Sequence, residues 1–542
     1  MYKRVGMQLE KSERDKLKEI KKRLSELSID FQENIIKDDG VIWFSKNELE
    51  GLPDDFFEGR TQKEDKEDGQ VKYEVTTKYP DLFPVLRMAK NGETRRRLQV
   101  FEAQRCKENV KILEEAVELR FEAAKILGYK SHADFVLENK MAKTVANVEK
   151  FEKELRELLE PIAAKELEDM LELKRKDEGA KGANVDDCIY VWDFRYYLRL
   201  LKEKLYNVDE EKIKEYFAME NVVSGILSIY QEMLGLKFIQ VDNSSGWHKD
   251  AQLFEVYNSE DKSFVGHFWM DMHPREGKYT HAACWSLRPG FERADGSRQY
   301  PVSAIVANLS KPTPTRPSLL KHDELVTFFH EFGHLMHNIC SQTKWSRFHG
   351  VEVERDFVEA PSQMLENWCW EPEVLQTFAK HYETNEPIPA EVVTKLVNAK
   401  NLGAGLLNLR QIFFGLFDLQ LHSLTSSPKV NPIDIVKLYN DLRLQISNVH
   451  SGEEETWQVA TFGHIMGGYD SGYYGYLWSE VFSADMFYSR FKVEGLKNKK
   501  TGYDYKNLVL GPGGSKDGMD ILIDFLGREP NNVSFLKSIG IY

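Results

Sequence analysis

The sequence predicts a mainly α fold with one small β-sheet, and three observations predict it. Helical periodicity dominates to about Leu205 and resumes after Asp323. Between Leu236 and Asn308 the texture changes to short runs rich in β-branched and aromatic residues. At 542 residues the chain exceeds what one hydrophobic core usually supports, so two domains or subdomains are expected. Residues 1–205 are expected to form a helical lobe and residues 206–542 a second lobe, which holds the sheet and everything after it.

Along the first lobe, Leu17, Ile20, Leu24 and Leu27 recur at spacings of three and four, an amphipathic helix whose lysines form a solvated face. A charged loop near Gly59 to Gly69 and a Lys/Asp/Gly stretch from Lys174 to Gly182 interrupt the helical pattern, and no internal repeat is found. In the second lobe the strand runs are Leu236 to Val241, Gln252 to Tyr257, Phe264 to Met272 and Val302 to Asn308. From Asp323 to Ile339, Leu325, Phe328, Phe329, Phe332, Leu335, Met336 and Ile339 form a broad apolar stripe that buries a helix, with Asp323 placed to cap its start. Helical spacing returns from Asp356 to Trp368, where Pro361 is tolerable only in the first turn. A glycine-rich segment around Thr461 to Gly475 and a last helical segment near Ile521 to Leu526 complete the chain.

The net charge of −14 argues against nucleic acid and against an anionic membrane surface, and leaves cationic peptides as compatible partners. No run of about eighteen apolar residues offers a membrane span. Five cysteines, Cys106, Cys188, Cys284, Cys340 and Cys369, are scattered without a CxxC pair, which fits reduced thiols. The N-terminus has no apolar core of a signal peptide, and Glu10, Glu13 and Asp15 disfavour a transit peptide, so a cytoplasmic location is expected.

Inside the buried helix lies His330-Glu331-Phe332-Gly333-His334. Two histidines four apart stack on one helix face, close enough for both imidazoles to bind one tetrahedral zinc, with Glu331 beside the open position as a general base. Two histidines and a glutamate on a buried face are costly without partners, and a metal with its water supplies them. Iron(II) also suits two imidazoles and a carboxylate, but the helical spacing favours zinc. His337 falls near the same stripe and competes as a ligand, although a packed histidine is the commoner role for such a residue. For the third ligand the downstream acids are Glu352, Glu354, Asp356, Glu359 and Glu366. Spacing favours the inward-facing Glu359, moderately, while Gln363 and Glu366 lie on its face and could orient a zinc histidine. In the later glycine-rich segment, Tyr469, Tyr473 and Tyr476 follow at spacings of four and three, so one helical turn could aim their hydroxyls alike, and His464 lies among the same glycines.

The HEFGH motif, the run Glu354-Arg355-Asp356-Phe357-Val358-Glu359-Ala360-Pro361-Ser362-Gln363 and the block from Thr461 to Glu480 strongly resemble the zinc oligopeptidase family of thimet oligopeptidase, neurolysin and saccharolysin. Pro274 to Tyr279 and Gly511 to Ser515 extend the resemblance through nearly the whole chain. It implies one Zn2+ per chain, held by His330, His334 and Glu359, with Glu331 as base. It also implies that Tyr476 and Tyr473 stabilise the transition state and that His464 and Tyr469 line the substrate site. The family's fold implies two helical lobes flanking a deep channel that admits short peptides, cut internally by a monomeric enzyme. The chain enters the family pattern at an internal helical segment and is expected to be shortened at its N-terminus. If the shortened lobe is required for activity, the alternative is a catalytically impaired helical peptide-binding protein.

Overall fold

A computed structural model describes residues 2–541 apart from 67–68, 181–185, 243–245, 280–281, 310 and 313–314. The chain forms two compact units, Met1–Leu205 with Leu402–Tyr474, and Tyr206–Asn401 with Gly475–Tyr542. Helices dominate both.

In the first unit the helix Lys11–Lys37 buries Leu17, Ile20, Leu27 and Phe31 on the side its periodicity marks, and packs on Glu108–Ile126. The long helix Val145–Ala180 lies along Ala404–His422. Glycine permits that approach: a Cβ at Gly405 would stand 2.7 Å from the Ala163 backbone nitrogen. For this reason residues 402–474, which the sequence places in the second lobe, pack with the first. The break expected from Lys174 to Gly182 is also corrected. The helix continues to Ala180, with Lys174 Nζ held 2.8 Å from Asp193, and residues 181–182 lie outside the described ones. Strands β1 (Val41–Ser45), β2 (Gln62–Glu64) and β3 (Val71–Thr76) form a small antiparallel sheet in the order β1-β3-β2, so β2 falls inside the expected charged loop.

In the second unit, β4 (Leu236–Val241), β5 (Gln252–Asn258), β6 (Phe264–Asp271), β7 (Ala283–Arg288) and β10 (Val302–Val306) form a sheet in the order β4-β5-β6-β10-β7. The two-residue strands β8 (Phe291–Glu292) and β9 (Arg298–Gln299) pair with each other between β7 and β10 in sequence. β10 runs parallel to β6, and the other neighbours in the larger sheet are antiparallel. Four of these strands coincide with the β-rich runs; β7 does not, because it has no alternation to read and is exposed from Trp285 to Arg288.

The helix His322–Cys340 packs on β6, β10 and β7. Phe332 docks edge-on against Phe268 and Phe238, with ring centroids 5.8 and 6.1 Å away. Lys321 takes the N-cap position rather than Asp323, and its backbone N–H donates to Glu324 Oε2 at 2.7 Å. Two further helices, Ala360–Glu366 and Gly475–Met486, stack beyond it, and Gly518–Leu526 and Val533–Ser538 close the unit. Among the described residues no helix is long and apolar enough to cross a membrane. All five cysteines are free.

Candidate active site

The helix His322–Cys340 sets His330 and His334 one turn apart on the edge of its buried stripe, with ring centroids 4.8 Å apart. Glu359 reaches them from the following helix. It sits at the N-cap of Ala360–Glu366, where Pro361 occupies the first turn, the place its missing N–H costs nothing. The two helices come this close because residue 333 is glycine: a Cβ there would lie 2.7 Å from the Ser362 Cα.

The three side chains converge. His330 Nε2 and His334 Nε2 are 3.1 Å apart, and Glu359 Oε2 is 3.1 Å from the first and 3.0 Å from the second. Metal bonds of about 2.0–2.1 Å at the tetrahedral angle place neighbouring ligand atoms about 3.3 Å apart, so this set fits a small tetrahedral cation. Among the described residues it is the one group of three or more such side chains with a metal's ligand spacing.

The hydrogen bonding supports that fit. His330 Nδ1 lies 2.7 Å from Glu366 Oε1, and a carboxylate can only accept there. In the neutral imidazole the proton is then on Nδ1, and Nε2 turns a lone pair toward Glu359 and His334. Positive charge is what the cluster lacks. Accordingly, although burial opposes a charge on His330, its bonds to Glu359 and Glu366 hold its pKa well above the usual range. Burial likewise disfavours the Glu359 carboxylate, yet the two histidines hold its pKa well below the usual value.

Glu331 is turned off the ligand face and is 9% exposed. Burial raises its pKa, opposed by the nearby histidines and by a hydrogen bond from the Cys284 backbone on β7. A largely desolvated carboxylate with raised basicity, beside a candidate cation site, is chemically suited to take a proton from water.

The other candidate acids go elsewhere. Glu354 accepts from the Gly518 backbone N–H at 3.2 Å, and Glu352 is exposed with Arg347 at 3.5 Å. Of the two residues offered to orient a histidine, Glu366 does so, whereas Gln363 Nε2 donates to the Tyr476 carbonyl at 3.1 Å. His337 is fully buried outside the ligand set, and among the described residues neither ring nitrogen has a hydrogen-bond partner; burial drives its pKa down to about 3.

The three tyrosines do not share a helical turn. Ser471 takes a left-handed φ of 56°, which breaks any helix there, and the helix carrying Tyr476 begins only at Gly475. Tyr476 therefore belongs to the second unit, on the helix tied to Gln363. Tyr469, Tyr473 and His464 belong to the first unit, where the His464 ring lies 5.7 and 5.3 Å from the two tyrosine rings. The buried Tyr473 hydroxyl donates to Gln411 Oε1 at 3.1 Å.

Sequence reasoning missed Gly333 and the β7 backbone. A glycine between large apolar residues on a buried helix was the available signal for the first.

A sequence model of Peptidase family M3 matches residues 85–541. The chain belongs to that family. It is 41% identical over its whole length to the thimet-like oligopeptidase of Dictyostelium discoideum, covering 80% of that protein. Over its whole length it is also 42% identical to saccharolysin of Saccharomyces cerevisiae, covering 76% of it. Oligopeptidase A of Escherichia coli is 34% identical over 99% of the chain and 79% of its own length. Among solved structures, PZ peptidase A with an inhibitor superposes with a TM-score of 0.56 at 14% identity, over 98% of this chain and 76% of that one, a likeness of fold. Membership in family M3 makes the protein a peptidase of mainly α fold.

Proposed function

We propose that this protein is a zinc-dependent endopeptidase that hydrolyses internal bonds of short peptides. The observation that carries the reading is the convergence of His330 Nε2, His334 Nε2 and Glu359 Oε2 within 3.0–3.1 Å of one another, with Glu331 adjacent but outside the set. The oligopeptidase relatives point to short peptides as substrates.

Zinc bound here would bring the pKa of water toward neutrality and polarise the scissile carbonyl. Glu331 then receives the proton of the attacking water at its carboxylate and passes it to the leaving amine nitrogen. Glu366 fixes the tautomer and ring plane of His330 through Nδ1. Tyr476, with Tyr473 or His464, is read as a donor to the oxyanion, and the family motif implies that His464 and Tyr469 line the substrate site. The free edge of β7, which gives Glu331 its backbone hydrogen bond, suits a peptide laid alongside as an added strand. Free thiols at all five cysteines suit a reducing compartment such as the cytoplasm.

The test combines elemental analysis with cleavage of an N-acetylated peptide. One zinc per chain, internal cleavage abolished by a chelator and restored by zinc, is the expected result. Cleavage that requires a free amino terminus would replace the reading with an aminopeptidase; absence of bound zinc after incubation with the metal would overturn it.

A further inference from the structure

The helix Ala404–His422 is apolar along most of its length, yet Asp418 on it is only 2% exposed. A lone buried carboxylate must find donors. It finds three in succession: the backbone N–H groups of Ser471, Gly472 and Tyr473 donate to it at 2.8, 2.9 and 3.0 Å. Consecutive N–H groups converge on one anion where the backbone passes between right- and left-handed conformations, and Ser471 at φ 56° supplies the left-handed step.

A second set of contacts fixes the carboxylate. His422 Nδ1 lies 2.8 Å from Asp418 Oδ1, and Arg120 Nη1 lies 3.0 Å from His422 Nε2. Arginine only donates, so Nε2 accepts and the Nδ1 proton points at Asp418. Arg120 Nη2 donates to the Ile465 carbonyl at 2.8 Å and stands 3.6 Å from Asp470, which pairs with His132 at 2.6 Å. One buried network thus grips Ile465, Asp470 and the turn 471–473. Gly468, between those holds, has φ 88° and open space where a Cβ would stand. Tyr473 meets the Asp418 helix twice, through its N–H at Asp418 and its hydroxyl at Gln411, seven residues earlier on the same helix.

The geometry points to Asp418 as a positioning residue: its buried carboxylate is the template on which the Ser471–Tyr473 turn is wound, and so fixes where Tyr473 stands while Gly468 remains the part of the loop able to change conformation. That Tyr473 serves catalysis rests on the function proposed above; the template itself does not. Asparagine cannot replace the aspartate, because Oδ1 and Oδ2 both accept, and an NH2 on either side would face a donor.

Amide hydrogen exchange in the full-length protein tests the template directly. The amides of Ser471, Gly472 and Tyr473 are expected to exchange at least tenfold more slowly than that of Gly468, and Asp418→Asn is expected to abolish the difference at Ser471 and Tyr473, whereas Gly472, whose N–H also donates to the Tyr469 carbonyl at 2.8 Å, keeps part of its protection. In turnover, Asp418→Asn should lower kcat by about tenfold or more with KM and zinc content unchanged. Added to Tyr473→Phe it should cost less than about threefold further, since both changes remove one contribution. Equal exchange of the four amides in the unaltered protein overturns the proposal, and that measurement stands even if Asp418→Asn does not fold. Fully multiplicative losses in the double variant also overturn it, by showing that Asp418 acts other than through Tyr473. If the unaltered protein neither holds zinc nor cleaves peptides, the proposed function fails while the exchange arm still decides the template.

Discussion

Each unit contains a buried cluster of histidines and carboxylates on a helix, and the two clusters behave oppositely. In the first unit donors and acceptors alternate: Arg120 to His422, His422 to Asp418, and three backbone N–H groups to the same carboxylate. Arg120, His422 and Asp418 each have an answering partner there. In the second unit His330 Nε2, His334 Nε2 and Glu359 Oε2 crowd together at 3.0–3.1 Å, a set that becomes three acceptors for a cation once both Nε2 atoms are unprotonated, with Glu366 holding the His330 proton on Nδ1. Residue types are nearly the same. What separates a structural clasp from a cation site is whether the protons suffice.

The largest test removes a member of the deficient cluster. Glu359→Ala should lower zinc retention by orders of magnitude and abolish turnover, whereas Glu354→Ala, whose carboxylate serves the Gly518 backbone, should leave the metal nearly unchanged; equilibrium dialysis against zinc measures both. The reverse outcome would move the ligand to Glu354 and break the comparison. Next comes Glu331→Gln, which should retain zinc and lose about 10²–10⁴ in turnover, because the group lies beside the cluster without belonging to it. Loss of metal from the folded variant would place Glu331 among the ligands.

A smaller effect is expected from Tyr476→Phe. If its hydroxyl meets charge that develops only in the transition state, kcat and kcat/KM should fall together by about a hundredfold, roughly 3 kcal/mol. A rise in KM alone would make it a substrate contact. The mildest is Glu366→Gln, which keeps the shape but weakens the hold on the His330 Nδ1 proton. Zinc affinity should drop about 10–100-fold, and turnover should be largely recovered at saturating zinc.

The proposed cation site was legible in the sequence because its residues are local: His330, Glu331 and His334 lie within one helical turn, and Glu359 opens the next helix with Pro361 marking that turn. The other cluster was not. Asp418 finds its partners at Arg120 and at 471–473, and such long-range closure leaves no periodicity to read. The one available clue was an acid in an otherwise apolar helix. The same distance hid the membership of residues 402–474 in the first unit, whose returning helix packs against Val145–Ala180. β7 escaped because an edge strand exposed at Trp285, Ser286, Leu287 and Arg288 lacks the alternation that burial of one face imposes.

In the proposed zinc site, Gly333 would make the affinity for zinc a gauge of helix spacing. A methyl group at that position would stand 2.7 Å from the Ser362 Cα, well inside the roughly 3.5–4.0 Å at which carbon atoms rest. Relief would require the helix Ala360–Glu366 to retreat by about 1 Å. Ligand distances in a metal site are held to about 0.2 Å, so that retreat would carry Glu359 out of range while both histidines stayed in place. The fourth letter of HEFGH therefore sets the assembly tolerance of the centre: two helices deliver their ligands to one point only because nothing grows between them.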